Sequence, residues 1–194
     1  MTKKKKYKPH QVEETSLWLE HGLHVPSRTI RLCSGIDDEA AEKFISNLLV
    51  LEHTAHEPVT VWMDTGGGNE GAGLVIFDAI KRFPAPVSIR VVGAAWSMGA
   101  IILQAAADRI LTPNASLMIH TGSRSYEGAA ENVRQEIRRD KIIDDVVDEV
   151  LLKKIQQKQP EMTLGALRDL MAVDTYYFAD EAIDMGLADR MEDQ

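Results

Sequence analysis

Ser97 stands between an apolar segment that predicts a strand and an apolar segment that predicts a helix. A serine at this junction lies at a helix N-terminus, where unpaired backbone N–H groups and the helix dipole favour negative charge. The oxyanion formed when a hydroxyl attacks a carbonyl needs that environment. The small residues Gly99 and Ala100 leave room for a substrate. A serine that only caps the helix is the alternative, and both interpretations stay open on this segment alone.

A turn of three glycines, residues 66–68, follows a predicted strand at residues 59–63 and precedes a helix. The backbone N–H groups of such a turn can face an anion or an extended peptide. The turn is not a P-loop, because no Gly-Lys-Ser/Thr follows it, and it does not match a dinucleotide-binding fingerprint. A tight turn without a binding role is the alternative.

His120 and Asp174 are the other two candidates for chemistry. His120 ends an apolar strand at residues 117–120, where a histidine can act as a general base near neutral pH. A structural histidine is the alternative. Asp174 stands among apolar and aromatic residues, where an unpaired carboxylate is costly. We therefore expect Asp174 to be paired, either as the group that orients His120 or as a turn aspartate.

Metal and disulfide chemistry are not expected. The pairs His21/His24 and His53/His56 have a spacing that could share a metal on a helix, but no cysteine or carboxylate pattern completes either site. Cys33 is the single cysteine, so the chain contains no internal disulfide and no four-cysteine zinc site. This cysteine usage suits a reducing compartment.

Composition predicts one ordinary globular domain rather than two. The chain has 194 residues, of which 44% are hydrophobic and 27% charged, with a net charge of −8. The positive charge is concentrated in a lysine run at residues 3–8, so the rest of the chain is more acidic, which argues against nucleic-acid binding. The most apolar stretch, residues 91–107, predicts a strand and a buried helix rather than a membrane span. We expect a cytoplasmic protein with no nucleic-acid or membrane partner.

Strands and helices alternate over the first 120 residues, which predicts parallel strands joined by right-handed helical crossovers. The strands are expected at residues 28–33, 59–63, 87–92, 109–111 and 117–120. The helices are expected from residue 37, at residues 74–82 and at residues 96–107.

The second part of the chain is predicted to be helical. A long helix at residues 129–157 contains no proline or glycine and carries an apolar stripe, so we expect it to pack against something outside its own domain. Shorter helices follow at residues 163–171, with Thr163 as N-cap, and at residues 179–185, with Gly186 as C-cap.

Three ordered motifs resemble those of the ClpP family, the caseinolytic serine peptidases. Residues 95–100, Ala-Trp-Ser-Met-Gly-Ala, are similar to the family's nucleophile motif, and residues 113–120 to the motif that ends in its histidine. Residues 64–68 occupy the place of the family's Asn-Ser-Pro-Gly-Gly turn, and Asp174 stands where the family has its acid. The similarity covers about residues 28–190.

The resemblance implies a fold and a domain organisation. The fold is α/β, a ClpP/crotonase-like spiral of repeated β-β-α units with a protruding handle helix at about residues 129–157. The chain would divide into an N-terminal tail or axial segment at residues 1–27, one peptidase domain at residues 28–190 and a C-terminal tail at residues 191–194.

The resemblance also implies a mechanism. Ser97, His120 and Asp174 would form a catalytic triad that hydrolyses peptide bonds. The backbone N–H groups of Gly68 and Met98 would form the oxyanion hole. No metal or organic cofactor would be required.

The assembly implied by the resemblance is a homo-oligomer of two stacked seven-membered rings around a proteolytic chamber, which an ATP-driven AAA+ unfoldase can feed with protein substrates. Gly67 and Gly122 would align the substrate strand. The handle helix would interlock the rings and bury its apolar stripe there.

The chain departs from the family pattern at several positions. Gly66 replaces the proline of the family turn, and Trp96 replaces a small residue before the nucleophile, where it is expected to narrow the pocket. Residues 121–122, Thr-Gly, replace Gln-Pro. Thr60 and Trp62 stand near the tyrosines that line the family's docking clefts for the unfoldase.

Three other functions are consistent with these residues. The chain could be a catalytically silent ring subunit that pairs with an active paralogue. It could be a phage head-maturation or signal-peptide-type peptidase of the same superfold, which would use a lysine base. It could be an acyl-CoA hydratase or isomerase of the same spiral fold, in which case Ser97 would have no task.

Overall fold

The computed structural model describes residues 16–192, which form an α/β fold around an eight-stranded sheet. The lysine run and most of the predicted N-terminal tail lie outside the described residues. The strands are β1 Leu23–His24, β2 Thr29–Leu32, β3 Val59–Thr65, β4 Val87–Trp96, β5 Asp108–Leu111, β6 Ser116–Ile119, β7 Thr175–Phe178 and β8 Arg190–Met191. A π-helical turn at Leu17–His21 precedes the helices α1 Asp38–Thr54, α2 Glu70–Arg82, α3 Met98–Leu103, α4 Ala130–Ile155, α5 Leu164–Met171 and α6 Ala179–Met185.

Strands β2, β3, β4 and β5 are parallel and adjacent in that order, which confirms the predicted parallel sheet. Strand β1 pairs antiparallel with β2 at one edge, and β8 pairs parallel with β5 at the other. Ile30, Val61 and Ile89 lie side by side in register and are fully buried. The crossover helices therefore cover an apolar sheet face.

Strand β4 divides its pairing between two neighbours. Its first part, from Ser88 to Val91, pairs with β5, and its last residues, from Ala94 to Trp96, pair with β6. Strand β6 then pairs antiparallel with β7. This division carries the end of β4 to a second strand pair, and the candidate site lies where those strands meet.

Two predicted element boundaries are wrong around β4. The strand runs to Trp96 rather than to residue 92, and the following helix covers Met98–Leu103 rather than residues 96–107. The reason is tertiary, because Ala94 to Trp96 gain partners on β6. Strand β7 was not predicted, and its pairing to β6 is what orders its four residues.

Helix α2 begins at Glu70, four residues earlier than predicted. The Asn69 side chain caps it by accepting a hydrogen bond of 2.9 Å from Ala72 N. Gly73 weakens the helical pattern in the sequence, but a Cβ at Gly73 would lie 3.3 Å from Met98 Cβ. The glycine thus allows α2 and α3 to approach closely behind the candidate nucleophile.

The caps of three helices follow from the sequence. Asp37 accepts a hydrogen bond of 2.8 Å from Ala40 N at the start of α1. Thr163 accepts one of 3.2 Å from Ala166 N at the start of α5, as predicted. Gly186 ends α6 with a φ of 83°, a left-handed conformation that glycine adopts without strain, also as predicted.

The long helix α4 protrudes from the domain. Its residues Asp140, Asp148, Leu151 and Ile155 are buried, whereas nearly all of its first ten residues are exposed. Two residues of the predicted apolar stripe, Ile137 and Ile142, are 49% and 57% exposed. Within residues 16–192, these two apolar side chains of α4 therefore have no element that covers them.

The segment at residues 16–27 is partly packed on the sheet. Leu23 is 2% exposed, and Asn47 Nδ2 donates a hydrogen bond of 2.9 Å to His21 O. The division into tail, peptidase domain and C-terminal tail stays a prediction. Across the described range 16–192, no helix has both the length and the apolar content that crossing a membrane requires.

Candidate active site

The three candidate residues lie at the ends of three neighbouring strands. Ser97 directly follows β4, His120 directly follows β6, and Asp174 directly precedes β7. Trp96 is in register with Met118, and Ile119 is in register with Thr175. The strand register itself therefore brings Ser97, His120 and Asp174 side by side.

Two hydrogen bonds connect these side chains. Ser97 Oγ lies 2.9 Å from His120 Nε2, and His120 Nδ1 lies 2.8 Å from Asp174 Oδ1. A carboxylate only accepts hydrogen bonds, so Nδ1 carries the proton and Nε2 is left to accept the serine hydroxyl proton. This arrangement suits a hydroxyl nucleophile with a histidine base.

The backbone turns sharply at Ser97. Its φ of 52° and ψ of −120° are unusual for a residue with a side chain. The Ser97 N–H donates a 2.8 Å hydrogen bond to Met118 O, and Ser97 O accepts one of 3.0 Å from Ala100 N. The chain thus changes from strand to helix within one residue. The Ser97 hydroxyl makes no cap hydrogen bond to α3, so it does not have the capping role that the sequence left open.

Gly67 lies directly against this turn. A Cβ at Gly67 would lie 2.6 Å from Trp96 O and 2.7 Å from Ser97 Cβ, which is too close for any side chain. The φ of 89° at Gly67 also favours glycine. A hydrogen bond of 3.1 Å from Gly67 N to Thr65 Oγ1 and one of 2.9 Å from Ile36 N to Gly67 O fix the turn.

The N–H groups of Gly68 and Met98 are unpaired donors. Neither donates to a protein acceptor within residues 16–192. Met98 is the first residue of α3, and its N atom would lie 3.0 Å from a Cβ at Gly67, the residue before Gly68. Two unpaired donors beside Ser97 can stabilise an oxyanion.

Asp174 is more exposed than its sequence surroundings predict. Its side chain is 56% exposed, against 26% for His120, and it is paired with His120 at 2.8 Å, as expected for a carboxylate in this segment. Two hydrogen bonds of 2.6 Å hold the Asp174 loop, one from Thr175 Oγ1 to Leu170 O and one from Thr121 N to Met171 O.

A cavity of about 320 Å³ opens beside Ser97 and His120. The apolar side chains that line it are Met98, Ile101, Ile119, Val147, Leu151 and Met171. The charged side chains that line it are Glu70, Lys141, Asp144, Asp145, Asp148 and Arg168. A side chain of an extended peptide could enter this cavity, between its apolar and its charged side chains.

Trp96 does not line this cavity. Its indole Nε1 donates a 3.0 Å hydrogen bond to Ser116 Oγ, and its ring packs edge-on against Tyr176 at 5.4 Å. The expected narrowing of the pocket by Trp96 is therefore not what the structure shows. Gly122 does line the cavity, and its role in aligning a substrate strand stays a prediction.

Two further regions raised by the sequence lie away from the cavity. Trp62 is 39% exposed on β3 and packs edge-on against Trp18 at 6.4 Å. His24 contacts Ser27, and His53 contacts the backbone of its own helix. Among residues 16–192, no group of three histidine, cysteine or carboxylate side chains is arranged to hold a metal ion.

Sequence reasoning missed Arg124 near the site. Arg124 forms ion pairs with Glu70 at 2.5 Å and with Asp144 at 2.7 Å, and both partners line the cavity. Arg124 lies in a polar segment at residues 121–128, outside the motifs that the sequence singled out. The partners of Arg124, Glu70 and Asp144, are distant from it in the sequence, so the sequence alone does not connect them.

The Clp protease family model matches residues 21–194 of the chain. The chain belongs to the Clp protease family. The chain is also 27% identical to the ATP-dependent Clp protease proteolytic subunit of Deinococcus radiodurans, over 96% of this chain and 92% of that protein. Membership in the family confirms the resemblance seen in the motifs, and the α/β architecture agrees with the fold expected for a Clp protease.

Proposed function

We propose that this chain is a serine endopeptidase subunit that cleaves unfolded proteins or peptides. The observation that carries the proposal is the pair of hydrogen bonds from Ser97 through His120 to Asp174, at 2.9 and 2.8 Å. Membership in the Clp protease family supports the same chemistry. The roles below are assigned to this chain's residues on that basis.

In the first half of the reaction, Ser97 Oγ attacks the carbonyl carbon of the scissile peptide bond, and its proton passes to His120 Nε2. Asp174 keeps the Nδ1 proton in place and stabilises the imidazolium that forms. The substrate oxygen becomes an oxyanion between the N–H groups of Gly68 and Met98. When the C–N bond breaks, His120 gives the proton to the leaving amine and an acyl-enzyme remains.

The second half repeats these roles with water. His120 Nε2 takes a proton from water, the resulting hydroxide attacks the acyl carbon, and the oxyanion forms again at Gly68 and Met98. Collapse of this intermediate returns the proton to Ser97 Oγ and releases the new carboxyl terminus. The chemistry needs no metal and no organic cofactor.

The proposal includes an oligomeric chamber of two stacked heptameric rings. Its support on the chain is the apolar stripe of α4, where Ile137, Ile142 and Val146 are 49%, 57% and 40% exposed. An apolar stripe of this kind normally has a partner. We place the enzyme in the cytoplasm. An AAA+ unfoldase is a candidate partner, because the Deinococcus relative carries the description ATP-dependent.

The alternatives fit the site less well. A lysine base is disfavoured, because within the described residues no lysine contacts Ser97 and His120 does. An acyl-CoA hydratase would leave the Ser97–His120 contact without a purpose. A silent ring subunit would need a misaligned triad, and the distances of 2.9 and 2.8 Å do not favour one.

The test is hydrolysis of an unfolded polypeptide by the purified full-length chain, with product masses identified by mass spectrometry. We expect internal cleavage by the wild type and none by Ser97→Ala, at the same oligomeric state. Equal cleavage by both proteins, or none by an assembled wild type, would contradict the proposal.

A further inference from the structure

Arg124 connects three parts of the molecule near the candidate active site. Its Nη1 and Nη2 donate to both carboxylate oxygens of Asp144 at 3.0 and 2.7 Å. Its Nη2 also donates to Glu70 Oε1 at 2.5 Å, and its Nε lies 3.6 Å from Asp140 Oδ2. The Arg124 side chain is only 19% exposed, so this is not a loosely held surface pair.

The partners of Arg124 come from the two helices that border the site. Glu70 is the first residue of α2 and follows the glycine turn by two residues. Asp144 lies in the middle of α4. Arg124 itself is four residues after His120. One guanidinium therefore joins the segment after the histidine to the glycine-turn helix and to the long helix.

The segment that carries Arg124 has little else to hold it. Within the described residues, no backbone N–H or carbonyl of residues 122–128 makes a hydrogen bond to other backbone. Among residues 16–192, the only other side-chain anchor of the segment is Tyr126, whose hydroxyl donates to Asp140 Oδ2 at 2.9 Å. The position of the segment thus depends on these two side chains.

The contact also borders the space that a substrate would use. Glu70, Gly122 and Asp144 all line the cavity beside Ser97. A Cβ at Gly122 would lie 3.4 Å from Glu70 Oε1, so the segment and α2 touch at this point. A peptide strand bound between the glycine turn and this segment needs a fixed separation between them, since strands pair at about 4.8 Å.

We propose that Arg124 is a positioning residue that fixes the separation between the glycine turn at residues 66–68 and the segment at residues 121–128, and so the width of the peptide-binding groove. This inference rests on the proposed peptidase function. A bidentate arginine is suited to the task, because its planar fork holds two carboxylates in one geometry where a lysine cannot. The hydrogen bonds that Arg124 donates to Asp144 and Glu70 also raise its pKa above the ordinary value.

The test compares a long peptide substrate with a small fluorophosphonate, which needs Ser97 but not the groove. We expect Arg124→Gln to raise the KM for the peptide about tenfold, the size expected when charge-assisted hydrogen bonds are lost. The rate of Ser97 labelling should stay within about twofold. Arg124→Lys should restore part of the loss. Arg139→Gln is the matched control, because Arg139 binds Asp140 but does not reach α2.

Glu70→Gln provides a second variant in case Arg124→Gln does not fold or assemble. It removes the negative charge from the link to α2 and leaves a neutral oxygen as acceptor, and we expect it to raise the KM about threefold. An unchanged KM in both variants would overturn the proposal. Slower Ser97 labelling by the same factor as the loss in kcat/KM would also overturn it, because Arg124 would then support the triad. Absence of labelling in the wild type would instead mean failure of the peptidase proposal itself.

Discussion

Asp174 pairs with a histidine and Asp189 with an arginine, but the surroundings of the two pairs differ. Asp189 binds Arg109, whose side chain is 4% exposed and also donates to Gln104 Oε1 and Gly186 O. Asp174 has one hydrogen-bond partner among the described residues, His120, and is 56% exposed. The first pair lies in a closed network and the second at the edge of a cavity.

This difference separates a contact that holds the fold from one that is available for chemistry. Arg109 joins β5 to the end of α6 and to the chain beyond it, and removing its partner would leave a buried charge. The pair of His120 and Asp174 is open to solvent, with side chains that are 26% and 56% exposed. We therefore expect changes at Asp189 to affect stability and changes at Asp174 to affect rate.

The largest expected effect is on the reactive pair itself. His120→Ala should lower kcat for peptide hydrolysis by about 10⁴- to 10⁶-fold, since in the described part of the chain no other base contacts Ser97. The free energy of unfolding should change little, because His120 lies at a strand end. Steady-state kinetics and urea unfolding of the same sample check both parts. A residual activity of His120→Ala near that of the wild type would show that His120 is not the base that activates Ser97.

Asp174→Asn should come next. Loss of the carboxylate removes the group that fixes the His120 tautomer, so we expect kcat to fall about 10³- to 10⁴-fold. Since the side chain is exposed, the free energy of unfolding should change by less than about 0.5 kcal/mol. Peptide kinetics with calorimetry measures this. A large loss of stability would show that Asp174 is structural, like Asp189.

Asp189→Asn should show the opposite pattern, with unchanged kcat per folded molecule. We expect about 2 kcal/mol of lost stability at neutral pH, less than for a fully buried pair because Asp189 is 39% exposed. Burial would raise the pKa of Asp189, but hydrogen bonds from Arg109 outweigh it and hold the pKa below its ordinary value.

The pH dependence of Asp189→Asn follows from that depressed pKa. The contribution of Asp189 is present above its unfolded pKa of about 3.9 and is lost as the pH falls through the folded pKa. The difference in unfolding free energy between wild type and variant should therefore shrink below about pH 4. Chemical unfolding at a series of pH values measures it, and a constant difference would contradict the assignment.

The smallest expected effect comes from Thr175→Val. This change removes the 2.6 Å hydrogen bond from Thr175 Oγ1 to Leu170 O that holds the Asp174 loop. We expect kcat to fall by about three- to tenfold, because the carboxylate loses part of its positioning and not its charge. Thr163→Val, which removes only the cap of α5, should cost about 1 kcal/mol of stability with no change in kcat. Similar kinetics for the two variants would refute the positioning role of Thr175.

The sequence was sufficient to predict features that depend only on residues close together in the chain. The caps at Thr163 and Gly186 are local chemistry, and the parallel sheet follows from the alternation of apolar segments. The three candidate site residues were singled out from the sequence, where each had a structural alternative and the resemblance to the ClpP family joined them. Their role as a triad stays a prediction.

The missed features depend on partners that are distant in the chain. The extension of β4 to Trp96 requires β6, and β7 is a strand only because it pairs with β6. The exposure of Asp174 could not be read from its apolar neighbours, since it lies in the loop before β7, where Val173 is itself 67% exposed. Arg124 was missed because Glu70 and Asp144 come from two separate helices.

We propose that His120 activates Ser97. Intact-mass analysis after fluorophosphonate treatment tests it most directly, with peptide mapping to locate the label. We predict one adduct per chain, located on Ser97, absent in Ser97→Ala and strongly slowed in His120→Ala. No adduct in a folded, assembled wild type, or equal labelling of the wild type and His120→Ala, would contradict the account.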